Sequence, residues 1–411
     1  MLSMVHNPSM WSRSVRGAVV IIVIVITLVT VISMRIAASH DTAAVFRVEM
    51  EKVVKCSKQK DAILCTLSSI RRMIGVGSGQ DVMNALSSGL DPMQCHYVGH
   101  VVGQQLYIRK KNVEKALDQC NRECDSACIH GVIGEAFAEE VGFGDPSDPK
   151  DVDLSHMNKD ELRLLGGRLC ASSEACHGVG HTIFQSLKKI ESSMALCRDV
   201  APAENLAYCY NGASMEYADV LSYRNMRPVS GVTVPTKESL RSFCLLDTVD
   251  EKRSCFRYFQ RIVIATLEPL GYSKPEALNE GRKICESYPR GDDRIACLYG
   301  IGAFSSYNVL LNHGTALNIC DRFVSMQDKA SCILGEVFVA VSDRQAKIAE
   351  YCTSIPVLPL KRICYQDLFH LLYFVGTPLD SAASLCENGN TYCEEGRKNY
   401  KIDSWEELKK L

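Results

Sequence analysis

An excess of charge of either sign is nearly absent from this 411-residue chain: 46 Lys and Arg stand against 48 Asp and Glu, a net of −2. Without a basic field no nucleic-acid partner is expected, and there is no acidic tail. Also missing is any Asn-x-Ser/Thr acceptor with a permitted middle residue, since Asn7 is followed by Pro8. That absence points toward a bacterial-type envelope rather than a glycosylating secretory route. No phosphate loop, Gly-x-Ser-x-Gly elbow, His-Glu-x-x-His helix or dinucleotide fingerprint occurs, so the common sequence-marked enzyme classes are not indicated. The haem-attachment pattern Cys-x-x-Cys-His is absent too: Cys124 and Cys128 have one residue too many between them, and Ile129 follows. Disorder is excluded by composition, with 46% hydrophobic and 23% charged residues.

Cysteine, in contrast, is abundant. Twenty in 411 residues is an even number and close to 5%, which in a reducing cytosol would require metal or redox work. The N-terminus offers a different compartment. Gly17 to Met34 carry no charge and are dominated by Val and Ile; at 1.5 Å per residue the run is about 27 Å, near the thickness of a bilayer core. Arg13 and Arg16 precede it and Arg35 follows, favouring the short N-terminus inside. The run is longer than the apolar region of a cleavable signal peptide, and its only candidate exit, Ile36-Ala37-Ala38, lies just after an arginine. The expected layout is a cytoplasmic segment 1–16, a single-pass membrane anchor 17–38 and an extracytoplasmic C-terminal ectodomain, in which disulfides persist.

The cysteines set a repeat. Cys197 and Cys209, Cys285 and Cys297, Cys320 and Cys332, and Cys352 and Cys364 each enclose eleven residues, Cys244 and Cys255 enclose ten, and a shorter pair, Cys386 and Cys393, closes the series. Helical composition precedes each first cysteine, turn residues such as Pro289-Arg290-Gly291 lie between, and an apolar helix follows each second cysteine. Lys252, Arg294, Lys329 and Lys361 recur three residues before the second cysteine. Helix, stapled turn, helix is a unit that cannot bury a face alone and must stack. Each staple closing about twelve residues contributes roughly 2–4 kcal/mol. The expected fold is an all-α, disulfide-stapled helical-repeat ectodomain, an α-solenoid. Its architecture resembles Sel1-like and tetratricopeptide (TPR) arrays, whose consensus sequences are not matched here. Spacing in the N-terminal half suggests staples Cys56–Cys65, Cys120–Cys128 and Cys170–Cys176, leaving Cys95 for Cys124. Residues 45–223 form one block and 237–411 the regular array, with the Pro-containing stretch 224–236 as linker.

Register on the second cysteines exposes a duplication. Cys95 to Cys176 is 81 residues, as is Cys128 to Cys209. Positions one and five after the second cysteine are mostly apolar in the later units. In the first and third units they become His96/His100 and His177/His181. Position seven becomes Glu135 and Glu216 in the second and fourth units. Two histidines four apart point from one helix face and can chelate an ion, with a nearby carboxylate as oxygen ligand or general base. His96, His100, His177, His181, Glu135 and Glu216 are therefore the expected ligands of a buried divalent transition metal (Fe, Zn or Mn). One ion per half around a pseudo-twofold axis is the sharpest version, and bis-histidine haem a minor variant. His130 and Asn211, equivalent at position two, would hydrogen-bond the ligands. The plain alternative is that the histidines cap carbonyls and Gly99 and Gly180 only allow close packing. Two function classes follow: a metalloprotein, redox or hydrolytic, or a non-enzymatic scaffold whose concave surface holds another envelope protein.

Overall fold

The computed structural model describes residues 42–57, 59, 62–140, 142, 159–222, 231–312, 320–341, 345–374, 381–386, 390–401, 405 and 408–409. These residues form helices and no strand. The N-terminal half holds α1 (42–56), α2 (Ala62–Val76), α3 (Gly79–Gly89), α4 (Pro92–Lys110), α5 (Val113–Leu117) and α6 (Glu123–Glu140). Next come α7 (Lys159–Leu169), α8 (Ser173–Leu187), α9 (Ile190–Val200) and α10 (Leu206–Ser222). The remainder comprises α11 (Val249–Arg257), α12 (Phe259–Leu267), α13 (Lys274–Ser287), α14 (Asp292–Asn312), α15 (Met326–Val341), α16 (Gln345–Ser354), α17 (Leu358–Phe374) and α18 (Thr391–Lys398).

Local chemistry starts these helices where the sequence changes period. Ser78 and Asp81, and likewise Thr248 and Glu251, form reciprocal capping boxes at α3 and α11. Ser273 and Glu276 do the same at α13, where Pro275 sits in the first turn. Ser172 accepts from the Ala175 amide at the start of α8, and Lys188 ends it in the left-handed region.

All twenty cysteines are paired and none is free. Cys197–Cys209, Cys244–Cys255, Cys285–Cys297, Cys320–Cys332, Cys352–Cys364 and Cys386–Cys393 run down the C-terminal part. Cys56–Cys65, Cys95–Cys124, Cys120–Cys128 and Cys170–Cys176 hold the first half. The helices that begin near each second cysteine pack in series, α4 on α6, α6 on α8, α8 on α10, α10 on α11, α11 on α14, α14 on α15, α15 on α17 and α17 on α18. One apolar core runs through them, from Val53 to Leu408.

Two of the recurrent basic residues before the second cysteine, Lys252 and Arg294, tether one unit to the next. Lys252 pairs with Asp293 at 2.8 Å, and Arg294 grips Asp328 with two nitrogens at 2.8 and 2.6 Å. Both acids sit four residues before the next unit's second cysteine. The Arg294–Asp328 pair is largely buried and bidentate, the geometry in which an ion pair also fixes orientation.

Among the described residues no helix is long and apolar enough to cross a membrane. The expected anchor 17–38 and cytoplasmic segment 1–16 lie outside the described residues, as do 224–230 of the expected linker; 231–236 are non-helical.

Candidate metal centre

The centre is built where α4, α6 and α8 meet. His96 and His100 lie one turn apart on α4, His130 on α6, and His177 and His181 one turn apart on α8. Helical periodicity sends each i, i+4 pair off one face. Rings of His96 and His100 lie 4.7 Å apart between centroids, His100 and His181 4.9 Å, and His100 and His130 5.5 Å. His177 stands at the edge, 4.7 Å from both His130 and His181. His96, His100, His130 and His181 each offer a ring nitrogen within 4.8 Å of the others. His96, His130 and His181 are buried, at 3%, 6% and 2% exposure; His100 and His177 are half-buried.

The hydrogen bonds assign the tautomers. His96 Nδ1 lies 2.9 Å from the Cys124 carbonyl oxygen. A carbonyl only accepts, so Nδ1–H donates and, in the neutral ring, the His96 Nε2 lone pair faces the cluster. His181 Nδ1–H donates to Glu216 Oε2 at 2.9 Å, which leaves the lone pair on its Nε2. That Nε2, and Nδ1 of His130, are buried without a hydrogen-bond partner. Orphaned ring nitrogens of this kind are costly, and a bound ion satisfies them. His96 Nε2 accepts from His100 Nε2 at 3.1 Å, close to the roughly 3.3 Å between neighbouring nitrogens on a tetrahedral ion with bonds near 2.05 Å.

Burial holds the His96, His130 and His177 imidazoles below their ordinary range. Mutual repulsion among the rings adds to this at all three. Around His96 the carboxylates of Asp125 and Asp219 pull the other way. Asp219 is itself pushed up by burial and pulled down by Arg261, with which it forms a buried ion pair.

The expected ligands are thus distributed unequally. His96, His100 and His181 converge, and His130, expected only to support them, joins them as a donor. His177 adjoins this group without belonging to it. Glu216 orients His181. Glu135 is half-buried on α6 and is not one of the four converging residues. Asn211 accepts from the Tyr258 hydroxyl at 2.6 Å rather than touching a ligand imidazole there. Instead of one ion per half, a single group of donors draws on α4, α6 and α8.

The reason lies in the helix crossings. A Cβ on Gly131 would stand 2.1 Å from the His100 carbonyl oxygen, and one on Gly103 2.0 Å from that of Cys128. In the second half a Cβ on Gly212 would meet the His177 oxygen at 2.0 Å, and one on Gly180 that of Cys209 at 2.1 Å. The crossings therefore equate His100 with His177, which are 77 residues apart, not 81. One turn of slippage puts His96 before its crossing and His181 after its own. The pairs are no longer symmetric, and only three of the four imidazoles reach the centre.

Asp219, Arg261 and the Cys124 carbonyl had no sequence signal for a role here. A second grouping, Cys320, Cys332 and Glu336, has the proximity of a ligand set. Its two sulfurs are joined in a disulfide and are not thiolates, so it does not bind metal as it stands. His370 donates from Nδ1 to the Tyr400 carbonyl at 2.7 Å, a structural contact.

No protein family matches this chain, and no curated protein or solved structure matches it either.

Proposed function

We propose that the chain is an extracytoplasmic, membrane-anchored helical-repeat metalloprotein that holds one divalent transition ion through His96, His100, His130 and His181. The observation that carries this reading is the pair of buried, partnerless ring nitrogens, His181 Nε2 and His130 Nδ1, among two further imidazoles. An all-nitrogen set suits Zn, Cu, Fe or Ni, and disfavours the oxygen-seeking Mn. Nitrogens 3.1 Å apart favour a bare ion over haem, whose axial ligands stand about 4 Å apart across the ring. Four protein ligands complete a zinc tetrahedron, whereas hydrolytic zinc keeps an open position. We therefore favour metal holding or redox chemistry over hydrolysis. Ten disulfides support an oxidising compartment, the apolar run 17–34 supports an anchor, and serial helix packing supports reading the stack as an α-solenoid.

The test is elemental analysis of the full-length chain purified in detergent after production in an oxidising compartment. About one equivalent of a late first-row metal is expected. A variant with His96, His100, His130 and His181 all changed to Ala should fold and bring down less than about a tenth of an equivalent. A native chain that takes up no metal on titration overturns the reading and leaves the scaffold class.

A further inference from the structure

Nine of the ten disulfides join cysteines 6 to 12 residues apart and staple one helix end to its neighbour's start. Cys95–Cys124 spans 29 residues and ties α4 to α6 instead. It is the one bridge outside the repeat rule, and it lies at the metal centre. Cys95 immediately precedes His96, and Cys124 supplies the carbonyl that accepts from His96 Nδ1.

The backbone at its far end is strained. Cys124, Asp125 and Ser126 have φ of 55°, 53° and 59°. Three consecutive non-glycine residues in the left-handed region are disfavoured, and persist only where the surroundings over-determine them. Here Cys95–Cys124 pins the first of the three. Asp125, in the middle, is the carboxylate acting most strongly on His96. Cys124 is partly exposed while Cys95 is buried, so an attacking thiol reaches the Cys124 side.

We propose that the Cys95–Cys124 disulfide is a positioning element of the metal centre rather than a staple of the fold, and that its reduction by a dithiol lowers metal affinity. This rests on the metal reading above. The step balances. A thiolate of the dithiol attacks Cys124 Sγ, the Cys95–Cys124 bond breaks, and Cys95 leaves as a thiolate that takes a proton. The reagent's second thiol then displaces Cys124. Two electrons and two protons pass to the protein, and the reagent departs as its own disulfide. Once released, residues 124–126 relax toward ordinary backbone and the carbonyl withdraws from His96. Loss of an outer hydrogen-bond partner of a ligand typically lowers affinity 10–100-fold.

Two measurements on the full-length chain test this. Zn²⁺ titration of the C95S/C124S variant against a chelating dye should give a dissociation constant at least about tenfold above that of the native chain. An unchanged constant overturns the proposal. In parallel, the native chain is reduced with dithiothreitol with and without Zn²⁺, and the opening of each bridge is followed by alkylation and mass spectrometry. Bound Zn²⁺ should slow opening of Cys95–Cys124 about tenfold or more and leave Cys386–Cys393 unaffected, because ligand and bridge stabilise one another reciprocally. Equal slowing of both bridges, or of neither, overturns it, and this arm decides if the variant does not fold. A native chain that binds no Zn²⁺, Cu²⁺, Fe²⁺ or Ni²⁺ fails the metal reading itself, a result distinct from a native chain that binds but ignores the bridge.

Discussion

Glu216 on α10 accepts a hydrogen bond from Nδ1–H of His181 on α8 at 2.9 Å, and both side chains are only 3% exposed. The carboxylate fixes the imidazole's tautomer and its orientation, leaving the opposite nitrogen for an ion. Glu216→Gln keeps an acceptor but loses the charge, and should weaken Zn²⁺ binding roughly tenfold; Glu216→Ala should weaken it about 100-fold. Competition with a chelating dye measures both. Equal affinities for all three proteins would show that Glu216 is only a packing partner.

His130 and Glu135 share α6 but not the same role. His130→Ala should abolish stoichiometric metal binding, whereas Glu135→Gln should change affinity by less than about threefold. His130→Leu removes an orphaned buried nitrogen, and should raise the stability of the metal-free chain by about 1 kcal/mol while destroying binding. Opposite movement of stability and affinity, read by thermal melts beside titration, is the expected pattern of a ligand; parallel movement is that of a core residue.

Close approach sets the position of Glu216 as well. Gly212→Ala places a methyl against the His177 carbonyl oxygen and forces α8 and α10 apart. A cost of about 1–3 kcal/mol in denaturant unfolding is expected, with weaker metal binding because Glu216 moves with α10. A variant as stable as the native chain would show that this crossing is looser than described.

Glu336 makes stability depend on pH far from the histidines. Burial pushes its carboxyl from the ordinary 4.5 up to about 8, against the opposing pull of the Tyr351 hydroxyl, which donates to Oε2 at 2.5 Å. The folded chain holds this proton through a range in which the unfolded chain has released it. Stability therefore falls as pH rises from 4.5 to about 8. Glu336→Gln is neutral throughout, and should be more stable than the native chain by roughly 2–4 kcal/mol near pH 8.5 but by under about 1 kcal/mol near pH 5. Urea unfolding at the two pH values checks this, and a constant difference would refute it.

Much of the fold was legible because cysteine spacing is a covalent ruler. Cys285 and Cys297 already mark where α13 ends and α14 begins, and Pro289 and Gly291 between them agree. The basic residue before each second cysteine was visible too, but its partner was not, because Asp293 and Asp328 gain meaning only when successive units stack. At the centre, His96, His100 and His181 stood out at otherwise apolar positions. The symmetry drawn from the 81-residue shift failed on a three-dimensional quantity, the point at which two helices touch. Gly103 and Gly180 fix that point, and they do not share a register with the cysteines. His130 looked secondary because it is a single histidine on its helix, and the carbonyl of Cys124 has no side-chain identity to read.

The order of cysteines along the chain carries a consequence for biogenesis. Pairing each cysteine with the next to emerge yields eight of the ten bridges directly. It fails for Cys95, Cys120, Cys124 and Cys128, whose native links, Cys95–Cys124 and Cys120–Cys128, interleave. An oxidant that paired cysteines in the order they emerge would join Cys95 to Cys120 and Cys124 to Cys128. A chain oxidised in that order needs this one quartet shuffled by thiol–disulfide exchange, and without an isomerase it should accumulate misbonded there and native elsewhere.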